Sequence, residues 1–311
     1  MSERRLTCAD FDRALDDLRG QGFRLDSIYP ADDPHTATLS RGAERVRLTT
    51  HPDAAAPSSA LPPFAPEFKL TRGAGESDRG RAGMFYRDLI PGRLGGRYVA
   101  SLISIPDGGP VADWVHFHRV ALQLICVRSG WVWVVYEGQG APFVMHPGDL
   151  VLQPPGIRHR VLDSSPGLEV IELSGPALHE TLADHDLSLP TPLATPDREF
   201  GGQRFARHVA AGSAWSNGFG GEVQETAIEV ATGGLAAARM IRATGGRIEV
   251  PAHPGELVFG CVMAGSAQLE FDAAPVLGPA DAFVIPPHSA WALGDVSPDF
   301  VLLNVTTTRL G

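Results

Sequence analysis

His116-Phe117-His118-Arg119-Val120-Ala121-Leu122-Gln123, then Gly130, then Gly148-Asp149-Leu150-Val151-Leu152-Gln153-Pro154-Pro155-Gly156-Ile157-Arg158-His159 decide the reading of this chain. Side chains alternate along a strand, so His116 and His118 share one face and Phe117 takes the other. Gly130 marks a turn into the apolar run Trp131-Val132-Trp133-Val134-Val135, and a second apolar strand ends at Pro154-Pro155-Gly156, just ahead of His159. One His on an apolar strand is usually a satisfied core residue. Three at these positions point to a metal site, because neutral imidazole is a common transition-metal ligand.

Working outward, the same pattern recurs. Gly148-Asp149-Leu150-Val151-Leu152-Gln153-Pro154-Pro155 corresponds to Ala280-Asp281-Ala282-Phe283-Val284-Ile285-Pro286-Pro287, His118 and Gly130 to His253 and Gly265, and Leu94-Gly95-Gly96 to Thr232-Gly233-Gly234. Three segments in one order indicate a duplicated all-β unit of about ninety residues. Cys126 and Cys261 match in it and read as packing residues. The second copy has lost the ligand set: Pro251-Ala252-His253 replaces the His pair, Val258 stands for Gln123, His288 for Gly156 and Trp291 for His159. A lone His253 does not hold a transition metal, and a His253–His288 site is the weaker reading.

The whole chain sets limits. At 311 residues it is comfortable for two domains, and 35 Gly with 26 Pro favour short strands joined by tight turns. The formal net charge of −10, with no basic run, argues against nucleic acid. No apolar run is long enough for a membrane, and the charged start is not a signal peptide. Three scattered cysteines suggest no disulfide framework and a reducing cytoplasm.

Ahead of the repeat, Thr7 and Asp10 suggest a helix cap before Phe11, Leu15 and Leu18, and three short alternating strands follow, giving helix, strand, strand, strand. This resembles part of a vicinal-oxygen-chelate (glyoxalase-type) unit, without that family's metal residues. The Pro-rich stretch at 52–66 reads as a linker.

From His116 to Gly130 and from Gly148 to His159 both motifs of the cupin family are matched in spacing, except that Gln123 stands where Glu is usual. The resemblance covers about 81–311. It implies a mainly β chain with two tandem jelly-roll barrels, preceded by the small α+β module. The expected units are the accessory module at 1–51, linker and lead-in at 52–80, a metal-bearing barrel at 81–176, a connector at 177–222 and a degenerate barrel at 223–311.

Carried over by position, the ligands are His116, His118 and His159, with Gln123 as fourth ligand or as a group holding a water or a His. The resemblance implies one divalent transition metal per chain, Fe(II) first, with Zn, Ni, Cu or Mn open. Three imidazoles and an amide would leave the ion its full charge and favour an anionic substrate. The arrangement is similar to two-barrel gentisate- and salicylate-type dioxygenases, which implies an oxygenase acting on a small anionic or aromatic substrate with O2. A redox-neutral isomerase or lyase and a non-catalytic metabolite-binding protein remain rivals, and a homo-oligomer is compatible.

No general base stands out. Gln153, Trp133 and Tyr136 are candidates for the substrate pocket, with most of the Trp131, Trp133 and Tyr136 mass expected in the core. Arg158 and Arg160 should point away from the metal by alternation. His179-Glu180-Thr181-Leu182-Ala183-Asp184-His185-Asp186 reads as a solvated connector in preference to an acid–base site.

Overall fold

A computed structural model describes residues 3–53, 57, 58 and 60–310. The N-terminal module is strand Glu3–Thr7, helix Phe11–Gly20, and strands Arg24–Tyr29, Thr36–Arg41 and Glu44–Thr49. Asp10 itself caps the helix, its carboxylate accepting from Arg13 N–H at 3.1 Å, and Phe11, Leu15 and Leu18 form the buried stripe. The first strand is absent from the sequence reading. It pairs in parallel with Glu44–Thr49, and its residues Glu3-Arg4-Arg5 are exposed, so it shows no apolar alternation. Charge on such an edge also discourages further pairing.

The module is not a separate appendage. Its strand Arg24–Tyr29 pairs with Thr181–Ala183, and that strand pairs with His116–His118 of the first barrel. One continuous sheet therefore runs from the module to the candidate ligands. Thr181–Ala183 comes from the expected connector, which thus completes a barrel wall.

The duplication extends further than the sequence motifs suggested. One seven-stranded sheet takes its edge from Ala206–His208, on Leu150–Leu152. The matching sheet of the second barrel takes its edge from Lys69–Thr71, on Ala282–Val284. Each barrel thus borrows its edge strand from the segment leading into the other. The two equivalent aspartates pin these strands. Asp149 accepts from Ala210 N–H at 2.9 Å, and Asp281 from Gly73 N–H at 2.6 Å. This corrects the reading of 52–80 as linker and lead-in only. Its Pro-rich part shows neither helix nor strand at the residues described, while 54–56 and 59 lie outside them.

Three cores follow from strand parity. Leu122, Leu124, Cys126, Ile171 and Leu173 pack against Phe259, Cys261, Leu303 and Val305, joining the two large sheets back to back. The alternate residues turn inward. In the first barrel Val127, Val134, Met145 and Val170 line the interior. The second barrel is filled by Phe283, Trp291, Leu293 and Phe300. Among the described residues no helix is long and apolar enough to cross a membrane.

Candidate metal centre

The ligand geometry begins with register. His116 lies directly opposite His159 on antiparallel strands, and His159 lies opposite Tyr136 on its other side. Facing residues in such pairs have Cβ atoms about 5 Å apart. Ring centroids are 4.2 Å apart for His116 and His159, 5.2 Å for His116 and His118, and 5.3 Å for His118 and His159. One nitrogen from each ring lies within 4.8 Å of the others, the only such group of His, Cys, Asp or Glu among the described residues.

The other ring nitrogens are occupied. His116 Nδ1–H donates to the Trp114 carbonyl at 2.8 Å, and His159 Nδ1–H to the Ile157 carbonyl at 3.1 Å. His118 Nδ1 shares a 3.1 Å hydrogen bond with the Thr181 hydroxyl. Such partners fix the tautomer and leave the Nε2 lone pair for an ion. Burial pushes the His159 pKa down to about 4, and burial with neighbouring cations drives His116 and His118 well below their usual value. All three rings are therefore neutral at pH 7, the form that ligates. This donor set fits a single divalent metal.

Gln123 faces the barrel interior, since Leu122 and Leu124 on either side belong to the inter-barrel core. It is 1% exposed, and its amide donates to Glu172 Oε1 at 3.3 Å. Glu172, which the sequence reading missed, lines the same cavity as the three imidazoles. Burial raises its pKa, opposed by His179 and by the Gln123 hydrogen bond. A carboxylate thus stands one strand away from where the family pattern would place it. The signal was present as the inward one of two acids, Glu169 and Glu172, in the otherwise apolar strand Leu168–Gly175.

Arg81 and Asp113 were also missed. Arg81 Nη1 donates to Asp113 Oδ1 at 2.6 Å, and Nη2 donates to His116 Nε2 at 3.1 Å. Asp113 Oδ2 accepts from Val161 N–H at 2.9 Å. Burial opposes the Arg81 charge, but Asp113 outweighs it and holds the pKa above its ordinary value. Arg81 Nη2 points at the lone pair an ion would use, so its side chain must turn aside when an ion binds. His179, expected in a solvated connector, is buried. Its ring sits edge-on to His118 at 5.5 Å, and Nδ1–H donates to the Pro176 carbonyl at 2.9 Å. His185 and Asp184 of that segment bond Leu25 O and Arg158 near the surface.

A cavity of about 70 Å³ remains beside the imidazoles, lined mostly by apolar residues such as Ile103, Ile125, Val134 and Met145. Tyr136 and Gln153 line it as expected, joined by a 2.7 Å hydrogen bond from Gln153 Nε2 to the phenol. Trp133 does not. It is 41% exposed, and Trp131 36%, because Val132, Val134 and Tyr136 take the inward parity. The aromatic mass is therefore neither core nor pocket there. Arg158 points outward, over Phe117 and onto Asp184. Arg160 contributes to the cavity lining, contrary to simple alternation, and pairing register breaks nearby between Trp133 and Val134.

The sequence matches no family model and no curated protein. Solved structures do match. Salicylate 1,2-dioxygenase from Pseudaminobacter salicylatoxidans aligns with a TM-score of 0.56 at 16% identity, over 79% of this chain and 86% of that one. Protein YlbA from E. coli aligns at 0.53 and 12% identity, over 80% and 94%. A variant of oxalate decarboxylase from Bacillus subtilis aligns at 0.51 and 12%, over 84% and 80%. The chain has the bicupin fold.

In this bicupin the barrels are unequal. Trp291, in the place of His159, packs edge-on against Phe283 at 5.2 Å. Gly260, matching Ile125, leaves room for the Phe283 ring, which an added Cβ would meet at 2.2 Å. Asn304 stands in register where the first barrel has Glu172. His253 is left without partner imidazoles, its carbonyl accepting from His288 N–H at 2.9 Å.

Proposed function

We propose that this bicupin is a metal-dependent oxygenase acting on a small organic anion in its first barrel, with Fe(II) as the leading metal. The observation that carries this is the convergence of one nitrogen from each of three imidazoles whose Nδ1 atoms are hydrogen-bonded. His116, His118 and His159 would hold the ion, and Gln123, whose amide donates to Glu172, would be a fourth ligand or hold a water or a His. A bound divalent ion would act as a Lewis acid and bring O2 and substrate to one centre. The chain's own residues do the rest. Arg81 offers a buried cation to an anionic group, Tyr136 and Gln153 present a hydrogen-bonded pair at the wall, and the apolar lining excludes water.

The likeness to salicylate 1,2-dioxygenase supports the fold needed for this chemistry. A redox-neutral lyase reading is favoured by a different observation. The amide at Gln123 and the small cavity suit a Lewis-acid reaction on a small acid, and oxalate decarboxylase aligns nearly as well. The test is metal analysis of protein purified without added metal, then an oxygen-electrode screen of aromatic and aliphatic carboxylates with Fe(II). Substrate-dependent O2 uptake supports the oxygenase. Turnover that proceeds equally well without O2 sinks it in favour of the lyase, and binding without turnover favours a metabolite-binding role.

A further inference from the structure

Away from the first barrel's cavity, the N-terminal module brings His35 and His51 together, with ring centroids 4.8 Å apart and planes at 63°. We propose that this pair binds a divalent ion that prefers imidazole, Zn(II) or its neighbours, and that the ion braces the module against the first barrel. The site is separate from the metal-centred function proposed above and does not depend on it.

The strand ladder makes the pair. Thr36 lies opposite Thr49 on antiparallel strands, and Thr50 N–H donates to the His35 carbonyl at 3.0 Å, so His35 and His51 flank one end of the ladder. Hydroxyls hold them there. The buried Thr36 and Thr49 share a 3.0 Å hydrogen bond, and Thr49 Oγ1 accepts from His51 N–H at 3.1 Å. His35 Nδ1 shares a 3.1 Å hydrogen bond with Thr36 Oγ1, and His51 Nδ1 a 2.8 Å one with Thr50 Oγ1. A hydroxyl accepts as readily as it donates, so each ring can keep Nδ1–H toward its threonine and leave the Nε2 lone pair to an ion. Metal-bound imidazoles are oriented in this way.

The spacing fits a shared ion. It lies inside the 4.2–5.3 Å span of the three imidazoles in the first barrel, which bring one nitrogen each within 4.8 Å of the others. Burial, and then His51 beside it, push the His35 pKa below its ordinary value against the pull of Asp33 and Asp32, so the ring is neutral at pH 7. Asp33 is exposed and close enough to act on His35, and its carboxylate offers a third donor, with water completing the shell. Nitrogen donors favour Zn(II), Ni(II) and Cu(II) over Mg(II) or Ca(II). The same loop meets the barrel. Asp32 pairs with Arg93, and the Ala31 carbonyl accepts from Arg81 N–H at 3.0 Å. An ion on His35 and His51 would tie this loop to strand Glu44–Thr49 and stiffen the contact that positions Arg81. With two imidazoles in place of three, and His51 exposed, the site is the weaker one and gives up its ion on desalting. It fills when free ion is supplied.

The experiment is equilibrium dialysis of the full chain against ZnCl2, with bound zinc counted by plasma mass spectrometry. The parent should take up a second ion per chain as zinc rises, and His159→Ala, which removes the first-barrel centre, should keep that uptake. His51 is exposed, so His51→Ala should fold as the parent does, hold its first-barrel ion and weaken the second at least ten-fold. His35→Ala should weaken it likewise. The zinc that fills this site should also raise the Tm of His159→Ala, and should leave the Tm of the combined His159→Ala, His51→Ala variant unchanged. A parent that takes up no second ion, a second ion unaffected by either substitution, or one displaced equally well by Mg(II) would each overturn the proposal. Turnover is not read, so the result stands apart from the O2 screen.

Discussion

Replacing Gln123 by Glu tests the contact that distinguishes this centre. The substitution sets two carboxylates on neighbouring strands, where an amide now donates to Glu172 Oε1 at 3.3 Å. Two like charges at that distance repel by about 5 kcal/mol at an effective dielectric of about 20. Protonation of one acid sets the ceiling, at about 4 kcal/mol for an ordinary Glu at pH 7. The variant should therefore lose about 2–4 kcal/mol without metal, or about 5–10 °C in Tm. A divalent cation between the acids should restore most of it. The combined Gln123→Glu, Glu172→Gln variant should recover stability without metal, since the contact is kept with its roles exchanged. The pair's folded-state pKa is raised, so the deficit is absent below the unfolded pKa near ~4.3 and grows as pH rises through the folded value. Differential scanning calorimetry in chelator, at pH 4 and pH 7, reads all three effects. A Tm for Gln123→Glu equal to the parent at pH 7 in chelator would refute the contact.

Further outcomes follow from the same geometry. Metal content by plasma mass spectrometry should be near one ion per chain, lost in His159→Ala and unchanged in His253→Ala; parallel losses would place an ion in the second barrel. Gly260→Ala should cost about 1–3 kcal/mol in denaturant melts, because its methyl meets the Phe283 ring, and a neutral result would mean that ring relocates freely. For Asp184, burial raises the pKa, but the Arg158 contact and the Leu187 and Asp186 N–H groups outweigh it and leave the value lowered. Its contribution is present above the unfolded pKa and lost as pH falls through the folded one. Asp184→Asn should thus cost up to about 1 kcal/mol at pH 7 and nothing near pH 2.

The three imidazoles were legible because strand parity and motif spacing are local properties. Glu172, Arg81 and His179 were not, because pairing between distant segments delivers them. Glu172 meets Gln123 only when Leu168–Gly175 pairs with Leu122–Ser129. Arg81 sits in Gly80-Arg81-Ala82-Gly83, a run with no period to read. Trp133 was misplaced through the weight given to aromatic mass, although Val132, Val134 and Tyr136 already declared the inward parity. The exchanged strands are three residues long, below what alternation can show. A trace was present all the same, in Phe68 before Lys69-Leu70-Thr71 and Phe205 before Ala206-Arg207-His208.

That exchange makes the halves hostages of each other. Lys69 is synthesised long before its partner Val284, so the early strand must wait for the last barrel before its backbone groups are satisfied. Conversely, the first barrel's edge closes only when Ala206–His208 emerges. A chain severed in the exposed stretch 192–199 leaves Ala206–His208 on the downstream piece and Lys69–Thr71 on the upstream one. Such pieces should reassemble as a clasp rather than fold singly. A barrel bound in that way serves the other half by its grip alone and needs no metal for it, and here its centre is packed with Phe283 and Trp291.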